Sequence, residues 1–568
     1  MKQRKIAAVA ATAAVAALAL SACGGSSSSS TATPAATSAA AATSAAGSTS
    51  AAAEPAATGG TYSIALEEPQ TLVPSNCYDM YCANVLNAMF TGLFTFVTND
   101  DGTVAPQTTD LVDSITTSDG GTTWSIKIKP DWTFTNGEAI TAQTFVDTYN
   151  FAAYGDNGQQ LGFVFGPSQL NVVGYQDVAD NKAKEISGLA VVSPTEFTMT
   201  LAKPLGEGIF YNFLAGPQIF PMPSAALADP EAFNKQPIGN GQYKMDVAWT
   251  PNQKIDIVKN PDYKGSVPGN ADAVEFRIYN DTTAEWADLQ ADNVDVVPQI
   301  PQAALAEAPG VLGDRYVNIP GALSFSWAFF PQQSKTFANH DVRVAIAKSI
   351  DLNTINAKLL QSTQVAATAF APSTIPGGGT DACGDACVFD PAAAKAMLDK
   401  AGGVPGNKVQ IAALQGSPNT VAKAECDQIQ KNLGVECSLK LFPDFGALLD
   451  AYGKLGPNDA GFIGGLGWGA DNPTLQNMIA PLFGSDSPSN YTGYSNPEFD
   501  KLIEEGNAAQ DPAEQIAKWQ AAQDVVYKDF VAYATSWRNT VYGISTKVSN
   551  VDINPQGFIN IGGITVNQ

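Results

Sequence analysis

Seven cysteines, one histidine and 55 acidic side chains are where chemistry would first be sought in this 568-residue sequence. A histidine-based catalytic triad would have only His340 to draw on. No Gly-x-Ser-x-Gly elbow and no His-Glu-x-x-His helix occurs. Paired carboxylates can act as acid and base in an exported hydrolase, but in so acidic a chain such pairs arise by chance. No Cys-x-x-Cys pair is present to hold zinc, and one histidine cannot make a His-rich metal site. The glycine-rich run Gly464-Gly465-Leu466-Gly467-Trp468-Gly469 lacks the Lys-Ser/Thr ending of a phosphate-binding loop. What glycines in that number do allow is close approach of main chain to a ligand. The expectation is therefore non-covalent recognition, with no catalytic residue, no metal and no cofactor.

Composition narrows the ligand class. Hydrophobic residues make up 45 % and charged residues only 15 %, so a sizeable core is available. The formal net charge of −24 excludes nucleic acid, which needs clustered Lys and Arg. The same charge favours solubility and steers cationic ligands.

The N-terminus carries Lys2, Arg4 and Lys5 ahead of a 15-residue apolar run, Ile6 to Leu20. A membrane-spanning helix needs roughly 20 residues, so the run is a signal-peptide core. It ends in Leu20-Ser21-Ala22-Cys23, which resembles a bacterial lipobox. That resemblance implies cleavage before Cys23 and diacylation of its thiol, hence attachment to the outer face of the cytoplasmic membrane. Residues 24 to about 58 are almost entirely Ser, Thr, Ala, Gly and Pro. They read as a flexible tether, whose length suits a Gram-positive wall. The other six cysteines, Cys77, Cys82, Cys383, Cys387, Cys426 and Cys437, fall into three close pairs. An even number in an exported chain points to disulfides. The local pairing is expected, because short loops close most easily.

Beyond the tether, Thr61 to Leu66 reads as a strand. In Thr123 to Lys129, Trp124, Ile126 and Ile128 alternate with polar residues, as in a half-buried strand. The Asn136-Gly137 turn leads to a helix capped by Thr141, with Phe145, Tyr149 and Ala152 on one side. Asn339 to Ile350 reads as another helix. Asp390-Pro391 and Asp511-Pro512 each start a helix, the Asp as cap and the Pro in the first turn. Glu514 would complete a capping box with Asp511. The second of these helices is expected to run to about Ala534. The mixture of strands and helices without strict alternation indicates an α/β (α+β mixed) chain in more than one lobe.

Five stretches, in order, resemble one family. Gly121 to Ala142 contains Phe134-Thr135-Asn136-Gly137-Glu138-Ala139-Ile140-Thr141-Ala142. Pro237-Ile238-Gly239-Asn240-Gly241-Gln242-Tyr243 is a glycine loop. Phe337 to Ile346 includes Asp341-Val342-Arg343. Trp468-Gly469-Ala470-Asp471 and Gly493-Tyr494-Ser495-Asn496-Pro497-Glu498-Phe499-Asp500 complete the set. Together they resemble the family 5 extracellular solute-binding proteins, the oligopeptide-, dipeptide- and nickel-binding class of ABC importers. Asn240 and Gln242 depart from the usual Thr and Pro of the glycine loop. The segment after Asp471, Asn-Pro-Thr-Leu-Gln, departs from the usual Tyr-x-[DE]-P.

The resemblance implies a two-lobed periplasmic-binding-protein-like fold with a hinge and an inserted domain. On that basis residues 1–22 are the signal peptide and 23–59 the lipidated Cys with its tether. Residues 60–100, 235–318 and 538–568 form lobe I, 101–234 its inserted subdomain, and 319–537 lobe II. Hinges are expected near 318–320 and 536–539. The resemblance further implies that Asp471 holds a peptide's α-ammonium, with Trp468 walling the pocket. Ser324, Phe325, Ser326 and Trp327 would bind the ligand backbone as an added strand. Asn76, Tyr78 and Tyr81, on a loop stiffened by Cys77–Cys82, would reach the cleft from lobe I. Arg343 is expected to make a structural ion pair and His340 to lie on the surface. The implied partners are a small-molecule or peptide ligand and an importer's permease and ATPase subunits, with the receptor itself a monomer. An oligosaccharide is the alternative ligand, given 8 Trp and 17 Tyr for stacking.

Overall fold

The computed structural model describes residues 59–567 apart from Ser168, residues 456–458 and Ala460. The signal segment, Cys23 and the tether lie outside the described residues.

A nine-stranded mixed sheet runs through the described residues. In chain order its strands are β1 (Thr61–Leu66), β2 (Tyr243–Met245), β3 (Lys254–Lys259), β4 (Ala273–Ile278), β5 (Val296–Val297), β6 (Tyr316–Phe329), β7 (Gln364–Ala366), β8 (Gly464–Gly469) and β9 (Ala532–Ile544). Their spatial order is β8-β6-β9-β5-β1-β4-β3-β2, with β7 beside β9. β1 pairs in parallel with β4 and β5, and the other pairings are antiparallel. The long strands β6 and β9 connect the half of the sheet that contains β1 to the half that ends at β8. They pair over two stretches, Tyr316–Pro320 with Asn539–Gly543 and Phe325–Phe329 with Ala532–Trp537, separated by an irregularity between Pro320 and Phe325.

Strand β1 falls where its sequence pattern placed it. Residues Thr123–Ile128 form an inner strand of a separate four-stranded antiparallel sheet. Trp124 and Ile126 are fully buried there, and the Trp124 ring stacks on Phe210 at 4.2 Å. Helix α1 (Met80–Met89) follows the Cys77–Cys82 loop. Helix α2 (Ala142–Ala153) begins at Thr141, whose hydroxyl exchanges capping bonds with Thr144. The three disulfides join sequence neighbours, Cys77–Cys82, Cys383–Cys387 and Cys426–Cys437.

The glycine loop is a latch. Asn240 is buried and bonds both ways to Thr91, accepting from its N–H at 3.0 Å and donating to its carbonyl at 2.9 Å. A Cβ on Gly239 would stand 2.0 Å from the Met89 carbonyl oxygen. Only glycine lets the loop close on the end of α1 in this way. The unusual Asn240 thus replaces a hydroxyl with a two-point clamp.

Three expectations are corrected. Helix α5 (Pro512–Asp529), which follows α3 (His340–Lys348) and α4 (Leu475–Phe483), stops five residues before Ala534. Phe530 takes a left-handed conformation, φ 47°, and the chain turns into β9. Asp511 caps α5 by accepting from the Ala513 N–H at 2.8 Å, not through Glu514. Arg343, expected to make an ion pair, instead serves backbone. It is buried, and its guanidinium donates to the carbonyls of Phe530 (2.9 Å), Phe337 (2.6 Å) and Asp529 (2.6 Å). It therefore supplies the donors that the C-terminus of α5 lacks. His340 is half-exposed at the start of α3, beside Asp341.

Replacing Arg343 by Met keeps the apolar stem and strands these buried carbonyls. Urea unfolding is expected to show a loss of roughly 3 kcal/mol or more, because hydrogen bonds to a charged group contribute about 1.5–3 kcal/mol each. A loss below about 1 kcal/mol would contradict this role.

Candidate functional site

β8 is almost bare of side chains. Its sequence, Gly-Gly-Leu-Gly-Trp-Gly, puts Leu466 and Trp468 toward the core and Gly465, Gly467 and Gly469 toward solvent. It is an end strand of the sheet, paired on one side only, with β6. The Ala470 N–H donates to the Leu323 carbonyl at 2.9 Å, which sets the phase of the ladder. In an antiparallel pair the bonded groups alternate, so the N–H and C=O of Gly467 and Gly469 point away from β6. No strand or side chain among the described residues bonds them. Neighbouring stretches are covered. Ile463 bonds to the Lys408–Leu414 strand, and the Gly465 N–H donates to the Tyr452 hydroxyl at 3.3 Å. The open edge is therefore short and local, and it leads directly to Asp471.

Asp471 sits between the end of β8 and the start of α4. Thr474 caps α4 by accepting from the Asn477 N–H at 3.1 Å. The Asp471 carboxylate is thus not used as a helix cap. Asn477 reaches back instead, accepting from the Asp471 N–H at 2.9 Å and fixing that residue's orientation. The same residue's carbonyl accepts from the Trp468 indole N–H at 2.9 Å, so Asn477 orients both side chains. The Asp471 side chain is open to solvent, yet the surrounding protein raises its carboxyl pKa by desolvation, and an Asn477 hydrogen bond partly offsets this. A group that is accessible and still poorly solvated is what the wall of a cleft provides. Among the described residues no cation pairs with it.

Ser324, Phe325, Ser326 and Trp327 lie in β6, directly across from Gly469, Trp468, Gly467 and Leu466. β6 pairs with β8 from Ser324 to Phe329 and with β9 from Phe325 to Phe329. Phe325 and Trp327 are buried in the core. The strand edge open to a ligand belongs to β8, one strand further out. Ser324 and Ser326 remain half-buried, on the same sheet face as Gly467 and Gly469.

Asn76, Tyr78 and Tyr81 lie elsewhere, in the segment between β1 and α1. Tyr78 is exposed and bonds Gln70. Asn76 has a buried side-chain oxygen without a partner. The Tyr81 hydroxyl bonds Glu67, and burial raises its pKa well above the ordinary tyrosine value. Among the described residues, no hydrogen bond or ring contact joins this group to Asp471. Glu285, in the same neighbourhood, is the least expected member. Burial and the nearby Glu67 push its carboxyl up to about 7. Nothing in its sequence context, Thr-Ala-Glu-Trp, distinguishes it from a surface helix residue. Asn477 and Arg538 were likewise not anticipated. The signal for Arg538 was its rarity, since only Arg4, Arg277, Arg315, Arg343 and Arg538 occur in the chain.

Among the described residues no group of three or more His, Cys, Asp or Glu side chains could hold a metal ion. The model of the bacterial extracellular solute-binding proteins, family 5, matches residues 107–490, more than half of the sequence. The chain belongs to this family. The oligopeptide-binding protein OppA of Bacillus subtilis (strain 168) is 24 % identical over 474 residues, covering 81 % of this chain and 84 % of that protein. The unliganded open form of the murein tripeptide-binding protein MppA superposes with a TM-score of 0.77 at 20 % identity, covering 90 % of this chain and 98 % of that one. Haemophilus influenzae OppA in complex with the peptide RPPGFSPFR gives 0.64 at 21 % identity, covering 90 % and 100 %. The fold is thus that of the two-lobed binding proteins. Family 5 proteins are extracytoplasmic solute-binding proteins.

Glu285 gives this family 5 protein a testable pH dependence. Its folded-state pKa lies above the unfolded value, so the folded state holds the extra proton. Stability is therefore lost as pH rises from about 4.5 toward 7. Glu285→Gln is expected to stabilise the protein at about pH 8, by at most roughly 3 kcal/mol, and not at about pH 4. Equal effects at both pH values in urea unfolding would contradict the assignment.

Proposed function

We propose that this protein captures peptides and delivers them to an ABC importer. The observation that carries this reading is the open, side-chain-free edge of β8 running into the desolvated, unpaired carboxylate of Asp471. An extended peptide added to this edge would bond Gly467 and Gly469 through its own main chain, so affinity would tolerate varied side chains. Its α-ammonium would meet Asp471, where a charged donor in a poorly solvated site binds strongly. Trp468, half-buried with its indole N–H fixed on Asn477, would wall the position of the first residue. The peptide-binding relatives support the ligand class.

In this reading the lobes have the boundaries given above, and β6 and β9 form the two-segment hinge near 318–320 and 536–539. Closure about it brings the Asn76–Tyr81 segment toward the ligand and creates the surface that the permease reads. The ligand shifts the population toward the closed form only by its differential affinity for that form. Cys23 would carry the diacylglyceryl anchor, whose two chains suffice for stable attachment, and the tether would hold the body away from the membrane.

The test is calorimetry on the full chain with di- to octapeptides, their N-acetylated forms, oligosaccharides and nickel chelates. Peptides are expected to bind and N-acetylated peptides to fail. Asp471→Ala is expected to weaken peptide binding by about 3–5 kcal/mol, on the order of a hundredfold to a few thousandfold in Kd. Binding of a neutral sugar, with every peptide inert, would replace peptide by oligosaccharide as the cargo.

A further inference from the structure

Residues 101–234, the segment expected as an insertion, touch the second half of the chain away from the open edge of β8. The Gly206 N–H donates to the Asn507 carbonyl at 2.8 Å, and the Gln510 amide donates to the Gly120 carbonyl at 3.1 Å. Lys203 pairs with Glu504 at 2.9 Å, both side chains being exposed. Glycine permits this approach. A Cβ on Gly206 would stand 1.9 Å from the Ala509 carbonyl oxygen, and one on Gly208 2.2 Å from Gln515 Oε1. Gln515 is buried at the contact, yet its amide nitrogen has no partner among the described residues. A second contact joins the same two parts. The Val104 N–H donates to the Thr374 carbonyl at 2.8 Å, and the Thr374 hydroxyl donates to the carbonyl of Gly321, within the irregular stretch of β6.

The layer that carries these contacts lies on the sheet face opposite Gly467 and Gly469. Phe325 and Trp537 point to that face and meet the segment after β7: the Phe325 ring lies 5.8 Å from Phe370, and the Trp537 indole N–H donates to the Ala369 carbonyl at 2.9 Å. α5, which starts just after Gln510, packs on the same segment through Gln520 and Gln523. At its other end the insertion grips the loop before α1. The Gln218 amide donates to the Cys77 carbonyl at 2.6 Å, and the Gln160 N–H to the Ser75 carbonyl at 3.0 Å. Movement of the Asn76–Tyr81 segment toward Asp471 therefore carries the insertion with it.

We propose that the contacts of residues 104, 120 and 203–208 with residues 374 and 504–515 form a brace that holds the cleft open and parts when the lobes close. This rests on the two-lobe hinge reading of the protein. Two bodies joined through β6 and β9 that rotate toward each other on one face of the sheet separate on the other. The brace is built to part: a few main-chain bonds, one exposed ion pair and a buried amide left unsatisfied. It lowers the closed fraction of the ligand-free protein, and the apparent Kd exceeds the intrinsic one by the inverse of that fraction. Residues that never touch the ligand thus set its affinity.

The experiment combines calorimetry and hydrogen-exchange mass spectrometry on the full chain, with alanine peptides of two to six residues as probes. Gly206 has ordinary extended backbone (φ −78°, ψ 163°), so Gly206→Ala acts as a wedge at the contact without strain of its own. It is expected to bind the peptides about 3–10-fold more tightly than native protein. Lys203→Glu should tighten binding by about twofold, and Lys203→Glu with Glu504→Lys should restore the native Kd. In native protein, saturating peptide is expected to speed exchange at the Val104 and Gly206 amides while the rest of the chain is protected. Unchanged or weaker binding by both Gly206→Ala and Lys203→Glu, or added protection of these two amides by peptide, overturns the brace and leaves the peptide reading intact. If no peptide binds native protein, the peptide reading fails, and the ligand-free protein decides the brace. Gly206→Ala is then expected to speed exchange at Val104, in the other contact, by at least about threefold, and an unchanged rate rejects the proposal.

Discussion

The pairing of β6 with β9 is the constraint on which the rest of the structure depends. These two strands alone join the β8 end of the sheet to the β1 end, and every element of the candidate cleft in the second half hangs from them. β8 is held by β6, Asp471 follows β8 after one residue, and Arg538 projects from β9. The ladder is irregular between Pro320 and Phe325 and again between Ser326 and Trp327.

An open strand edge is ordinarily a hazard, because it invites pairing with other chains. Here the exposure is confined. The Lys408–Leu414 strand covers the approach to β8, and the Tyr452 hydroxyl takes the Gly465 N–H. What remains is room for a short segment. The same restraint governs charge. Asp471 is left without a cation, at the expense of a carboxyl that the unliganded protein solvates poorly. Among the described residues Arg538 is left without an anion.

Several family motifs serve the scaffold and not the ligand. Arg343 ties the end of α5 to the start of α3. Asn240 clamps the glycine loop on Thr91. In the Gly-Tyr-Ser-Asn-Pro-Glu-Phe-Asp stretch, the Tyr494 hydroxyl and the Asn496 amide converge on the Asp529 carboxylate at 2.6 and 3.0 Å, and Asn496 also caps the Pro497–Ala508 helix. These residues fix where β9 begins. Of the five motifs, only the one containing Trp468 and Asp471 reaches the open edge.

The local elements were legible in the sequence because their causes are local. The caps at Thr141, Asp390 and Asp511, the alternation around Trp124, and the disulfides between near neighbours each depend on residues a few positions apart. The family was legible for the same reason, from short motifs read in order along the chain. What only the tertiary structure decided is which strand edge is open, and to what. Ser324–Trp327 and Gly464–Gly469 both lie in strands, and only the order of strands shows that Phe325–Trp327 is paired on both sides. Glu285 becomes titratable at neutral pH, Asn477 becomes the support of Asp471, and Arg538 meets Gly467 across residues 71 positions apart in sequence. Such relations arise from long-range packing and desolvation, which no local pattern of residue types encodes.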